Sequence, residues 1–159
     1  MADQRTNKKA TAAAIAVAIA APAEGLRQYA YYDPPGILTV CFGHAGSDVV
    51  KGKQYSVEQC KALMDADMLA KVDRVDRCAP DAPPSVLAAF SDAAYNIGET
   101  IACDRAKSTA ARKLYAHDWK GACDELPKWD KARVGGMMVS LPGLTKRRAT
   151  EREICLSGL

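Results

Sequence analysis

Two carboxylates and a hydroxyl stand close together early in the chain, in EGLRQYAYYDPPGILTVCFGH, which runs from Glu24 to His44. They are Glu24, Asp33 and Thr39. Glu24 precedes Gly25, a place where a helix would end. Asp33 opens a turn with Pro34-Pro35-Gly36, and Thr39 falls in the strand that follows. A hairpin folding back at that turn would bring Asp33 toward Thr39, with Glu24 facing the same hollow from the end of the preceding helix. One acid, and a second carboxylate beside a hydroxyl that orients water, are what cleavage of a glycosidic bond requires. An acid that donates near neutrality must sit where its charged form is disfavoured, as partial burial in an apolar hollow provides. Acidic residues at helix ends and turns are also ordinary surface chemistry, so spacing alone leaves both readings open.

The remaining elements must position these groups. SVEQCKALMDADMLAKVDRVDRC starts with a capping box, Ser56 with Gln59. Val57, Leu63, Met64, Met68, Val72 and Val75 follow at helical spacing, which predicts one long helix ending near Cys78. APDAPP, from Ala79 to Pro84, is a stiff connector. PSVLAAFSDAAYNIG then reads as a second, very apolar helix stopped by Gly98. STAARKLYAHDW and WKGACDELPKW read as two short helices, GGMMVSLPG as a loop, and TKRRATEREICL as a closing helix with Thr145 as candidate cap. Strand character is confined to about Tyr29–Val50. The expected fold class is α+β, predominantly helical, with a small sheet near the N-terminus.

At 159 residues, 48% of them hydrophobic and 26% charged, the chain suits one globular domain. A net charge of +3 with few aromatics argues against a nucleic-acid partner. Cys41, Cys60, Cys78, Cys103, Cys123 and Cys155 form no Cys-x-x-Cys pair, and His44 and His117 lie far apart, so no metal site is expected. An even number of cysteines in a small domain reads as disulfides and an oxidising compartment, although buried free thiols are also common.

The first 23 residues have a basic start, with Arg5, Lys8 and Lys9, then an uncharged run from Ala10 to Ala23. As a helix that run would rise about 21 Å against a hydrocarbon core of about 30 Å. It has the features of an export signal, with Ala21-Pro22-Ala23 like a cleavage site. A cleaved signal, a weak uncleaved anchor and the first helix of a soluble domain all fit. Cleavage after Ala23 would leave Glu24 with nothing to hold it, which favours an uncleaved segment. The expected division is an N-terminal segment, 1–23, and a catalytic domain, 24–159.

The residues from Glu24 to His44 resemble the signature of the phage-type lysozymes, glycoside hydrolase family 24. Its Glu-Gly-Leu-Arg, Tyr and Asp, Thr and Gly-His match here, with Glu24, Asp33 and Thr39 at the family's spacing. AAYNIG, STAARKL, WKGACDELPKW and PGLTKRRATEREICL are similar to later segments of the same family, in order and without large gaps to about Leu156. The resemblance implies a two-lobed fold in which a long helix joins the sheet lobe to the rest. It implies a cleft that binds bacterial peptidoglycan and cuts the β-1,4 bond from N-acetylmuramic acid to N-acetylglucosamine. Glu24 would be the general acid, with Asp33 and Thr39 holding water on the opposite face for inversion. Asn96, His44 and Arg147 are candidate substrate-binding residues, though His44 suits a structural hydrogen bond and Arg147 a helix-end ion pair. No cofactor is implied, and a monomer is expected.

The N-terminal segment resembles that of signal-anchor-release endolysins, which are exported, held inactive at the host inner membrane and activated on leaving it. That implies the host periplasm, with the host cytoplasm until membrane permeabilisation as the alternative. Residues 1–23 contain Pro22 and no cysteine, which excludes activation by a thiol of the anchor. Of fifteen possible cysteine pairings, Cys41–Cys60, Cys78–Cys103 and Cys123–Cys155 join elements expected to be neighbours, though sequence cannot choose among them. A lytic transglycosylase and a non-catalytic glycan-binding protein on the same scaffold remain alternatives; the intact acid, carboxylate and hydroxyl favour hydrolysis.

Overall fold

The computed structural model describes residues 2–159; Met1, part of the expected N-terminal segment, lies outside the described residues. Helix α1 (Ala2–Glu24) takes up the alanine-rich stretch, consistent with alanine's low cost in a helix. Ala12, Ala16 and Ala20 are fully buried. They form a stripe at i, i+4 and i+8 in the main core with α2 (Val57–Cys78) and α3 (Pro84–Ile97). Small side chains on that stripe let the helix axes approach closely. The polar start of α1 is fastened to the end of α2. Lys8 Nζ donates to Asp76 Oδ1 at 2.5 Å and to the Pro80 carbonyl at 2.7 Å, and Lys9 Nζ donates to Asp73 Oδ1 at 2.8 Å. Among the described residues, no helix is long and apolar enough to cross a membrane.

The antiparallel sheet β1–β2–β3 follows, from Arg27–Tyr32, Leu38–Cys41 and His44–Ala45. Asp33 closes the first turn: its Oδ1 accepts from Ile37 N at 2.7 Å, and Gly36 supplies the left-handed residue with φ 84. The sheet covers a small cluster containing Val40, Cys41, Val49, Tyr55 and Cys60. Helix α2 reaches this cluster through Cys60 and the main core through Met64, Met68, Val72 and Val75. It thereby joins the two parts of the molecule. Its expected capping box is present, with Gln59 N donating to Ser56 Oγ at 3.1 Å and Ser56 N to Gln59 Oε1 at 2.8 Å.

Helix α3 is buried on all sides from Ser85 to Ala94, as its nearly unbroken apolar sequence requires. Short helices α4 (Thr100–Cys103), α5 (Thr109–Tyr115) and α6 (Trp119–Glu125), with a 3-10 turn at Leu126–Trp129, lead to α7 (Pro142–Ser157). All three expected disulfides are formed: Cys41–Cys60, Cys78–Cys103 and Cys123–Cys155. They tie the sheet to α2, α2 to α4, and α6 to α7.

Two sequence expectations need correction. The segment read as a loop, from Gly135, supplies the turn and second strand of a hairpin, β4 (Lys131–Val134) and β5 (Met137–Ser140), turning at Gly135-Gly136, both left-handed. Its strands are largely exposed, so they lack the alternation that marks a half-buried strand. Thr145 does not cap the closing helix, which starts at Pro142 after Leu141. Thr145 lies inside the first turns and donates to Asp130 Oδ2 at 2.8 Å, tying the helix to the base of the hairpin.

Candidate active site

Glu24 is the last residue of α1, and Gly25, with φ 72, turns the chain into β1. The acid's position is therefore set by the packing of the whole helix. Its carboxylate is held from α7: Arg147 Nη1 donates to Glu24 Oε1 at 2.6 Å. Arg147 also makes a two-point contact with Asp92 of α3, Nε to Oδ2 at 2.9 Å and Nη2 to Oδ1 at 2.7 Å. Paired guanidinium–carboxylate bonds of this kind fix orientation as well as charge. Burial opposes the charge on Arg147, but Asp92 and then Glu24 hold its pKa above the ordinary arginine value.

Behind this pair lies a buried cluster. Arg148 Nη2 donates to Asn96 Oδ1 at 3.0 Å and to Glu151 Oε1 at 2.5 Å. Burial above all, then the neighbouring Asp92 carboxyl, pushes the Glu151 carboxyl well above the usual range. Asp92, bonded to Arg147 at two points, balances much of the charge that Arg147 would otherwise place beside the acid.

Glu24 and Asn96 line two grooves. One, of about 500 Å³, runs between the β2–β3 turn and α2, and is also lined by Gly43, Ala45, Asp67, Ala70, Lys71, Arg74 and Tyr95. The other, of about 680 Å³, lies between α1 and α7, with Ile19, Leu144 and Arg147 in its wall. Tyr95 fixes the edge of the first, its hydroxyl donating to the Phe42 carbonyl at 2.8 Å; burial pushes its phenol pKa up. Gly43, at φ 90, keeps the β2–β3 turn close to the acid: a Cβ there would meet Glu24 Oε2 at 3.8 Å and the Tyr95 hydroxyl at 4.0 Å.

Asp33 and Thr39 line neither of these grooves. They lie together on the β1–β2 hairpin, both bonded to the backbone of Ile37. Asp33 accepts from its N–H, and Thr39 Oγ1 donates to its carbonyl at 3.1 Å. Thr39 is 4% exposed. His44 sits behind the first groove, with Nδ1 2.7 Å from Asp67 Oδ2 and Nε2 3.2 Å from Asp48. Burial opposes the His44 charge, but Asp67 and Asp48 together hold its pKa above the ordinary value. Of the candidate binding residues, Asn96 and Arg147 thus stand beside Glu24, and His44 is bonded to Asp67 in the groove wall.

Sequence reasoning missed Asp67, Lys71 and Arg74 in the groove and Asp92 behind it. The first three recur at i, i+4 and i+7 on one face of α2, a legible spacing with no partner to give it meaning. Asp92 was legible only as a charge inside an otherwise apolar helix.

The phage lysozyme family model matches residues 21–151. A SAR-endolysin from Bacteriophage PS119 is 39% identical over 136 residues, covering 85% of this chain and 77% of that protein. Among solved structures, the endolysin from Escherichia coli O157:H7 phage FAHEc1 superposes with a TM-score of 0.77 at 28% identity, covering 91% of this chain and 92% of the other. The muramidase domain of SpmX from Asticaccaulis excentricus gives 0.77 at 26% identity, covering 89% and 95%. The family model over residues 21–151 and the 39% identity to the PS119 protein place this chain in the phage lysozyme family of glycoside hydrolases.

Proposed function

We propose that this protein is a phage endolysin that hydrolyses the β-1,4 bond between N-acetylmuramic acid and N-acetylglucosamine in bacterial peptidoglycan. The observation that carries the reading is the place of Glu24: it ends α1, borders both grooves and is oriented by Arg147. Glu24 donates its proton to the leaving glycosidic oxygen as the bond from the anomeric carbon breaks. Asp33, with Thr39 beside it, takes a proton from water as the water oxygen bonds to the anomeric carbon from the other face, which inverts the configuration. Asn96, beside Glu24, offers an amide suited to an N-acetyl group. The enzyme acts as a monomer.

Glu24→Gln keeps the shape of the clamp but removes the proton, and should lower the release of reducing ends from purified cell walls about 10²- to 10⁴-fold. Undiminished clearing by this variant would refute the assigned acid. Asp33→Asn should lower activity too; if it does not, the water is held by another carboxylate. Proton NMR of the first product formed reports the anomer, and mass spectra carrying the added water separate hydrolysis from anhydro-sugar formation.

We further propose that the chain is exported with residues 1–23 uncleaved, is first tethered at the inner membrane, and then works in the host periplasm. Support comes from the SAR-endolysin relatives and from the charge-free run of Ala10–Ala23. The three disulfides suit an oxidising compartment. Fractionating cells that express the full chain tests this. An exclusively cytoplasmic, reduced protein would rule it out.

A further inference from the structure

Helix α2 turns one face to the groove beside Glu24, presenting Asp67, Ala70, Lys71 and Arg74 over about 10 Å of helix. The acidic end of this stripe is engaged, because Asp67 is bonded to His44. The basic end is different. Lys71 Nζ lies 2.7 Å from Glu99 Oε1, and Arg74 Nη1 lies 3.1 and 3.0 Å from the two oxygens of the same carboxylate. Two cations therefore share one anion and leave an excess positive charge. Among the described residues, Arg74 engages Glu99 through Nη1 alone, so the rest of its guanidinium fork remains free to donate. The side chains of Lys71 and Arg74 are 30% and 58% exposed, and exposed ion pairs add little to stability. Glu99, whose pKa Lys71 foremost and Arg74 hold below the usual carboxylate range despite some burial, holds both cations together at the edge of the groove.

We propose that Lys71 and Arg74 form an anion subsite of this groove that takes a carboxylate carried by the glycan strand in place of Glu99. The inference rests on the muramidase reading and gives that groove a specificity: strands bearing carboxylates are cut in preference to neutral ones. The glycan offers two sources of the same chemistry, the carboxylates of the stem peptides and, where the peptide has been removed, the lactyl carboxylate of the muramic acid.

The test uses the full chain and soluble glycan strands in three forms: with stem peptides intact, with the peptide carboxylates capped as methylamides, and stripped of peptide by an amidase. The readout is kcat/KM for reducing-end release. The wild type should favour intact over capped strands about twofold to fivefold. Lys71→Gln combined with Arg74→Gln should bring that ratio close to one. Glu99→Gln should raise it, because the internal anion no longer competes for the cations; a merely structural role for the triad gives no such rise. Stripped strands cut as fast as intact ones support a subsite that accepts the lactyl group, whereas stripped strands cut as slowly as capped ones support one that takes the stem peptide. Equal cutting of intact and capped strands by the wild type would overturn the subsite and leave the muramidase reading standing, as would a Glu99→Gln variant that loses preference. Absence of new reducing ends in every form would overturn both.

Discussion

Arg147 contacts three carboxyl groups: Glu24 at 2.6 Å, Asp92 at 2.9 and 2.7 Å, and Glu151 at 3.8 Å. Its length and planar fork let one side chain span from α3 to the end of α1, which lysine could not do with the same directionality. His44 does comparable work on the other side of the groove, holding Asp67 and Asp48. Its folded pKa is raised above the ordinary 6.5, so protonation favours the folded state. The stability His44 contributes should be fully present below about pH 6.5 and fall away as pH rises through the raised value. Urea unfolding of the wild type and of His44→Asn between pH 5.5 and 9 checks this: the gap between the two should close at high pH, and a gap independent of pH would contradict it.

Among the elements, α1 and α2 decide where the acid stands. Asp76, with a side chain 3% exposed, receives Lys8 at 2.5 Å and Lys9 at 3.6 Å, while Arg5 lies 3.8 Å away. This contact fixes the start of the helix whose far end carries Glu24. Asp76→Ala leaves Lys8 beside a partly buried gap and should cost about 1–3 kcal/mol in urea unfolding. Because the contact is made through α1, activity should fall with it, whereas substitution of exposed Asp65 should change neither. An Asp76→Ala protein with wild-type stability would show that the contact contributes nothing. The sequence made α2 and α3 legible through the Ser56–Gln59 box, helical periodicity and Gly98, because these are local signals. The β4–β5 hairpin was hidden because its strands are exposed on most positions, so no burial pattern was written into them. Thr145 looked like a cap because its residue type suits one, but Pro142, preset for the first helical position, began the helix three residues earlier.

For the molecule as a whole, α1 belongs to the core that a detachable leader would leave. Ala12, Ala16 and Ala20 sit in the same cluster as Phe90 and Ala93 of α3, so removing residues 1–23 would uncover an apolar face of the most buried helix. The truncated chain is expected to be insoluble or to bind a hydrophobic dye without a cooperative unfolding transition. A soluble, cooperatively unfolding truncation product would show that α1 is dispensable to the fold. Three disulfides, each worth about 2–4 kcal/mol, close loops across both parts of the chain, with sequence separations of 19, 25 and 32.

The sequence by itself determined the residue types and order of the Glu24–His44 segment, the helices with local caps and periodicity, and the family the chain resembles. These are properties of short stretches, where spacing along the chain fixes spacing in space. Only the tertiary structure decided that the alanine-rich segment packs as the first helix of the core. It alone paired Arg147 with both Glu24 and Asp92, and set Lys71 and Arg74 against Glu99. Those contacts join residues separated by 123, 55, 28 and 25 positions, and at such distances along the chain it is the packing of helices, with the burial of apolar surface that drives it, that chooses which charges meet.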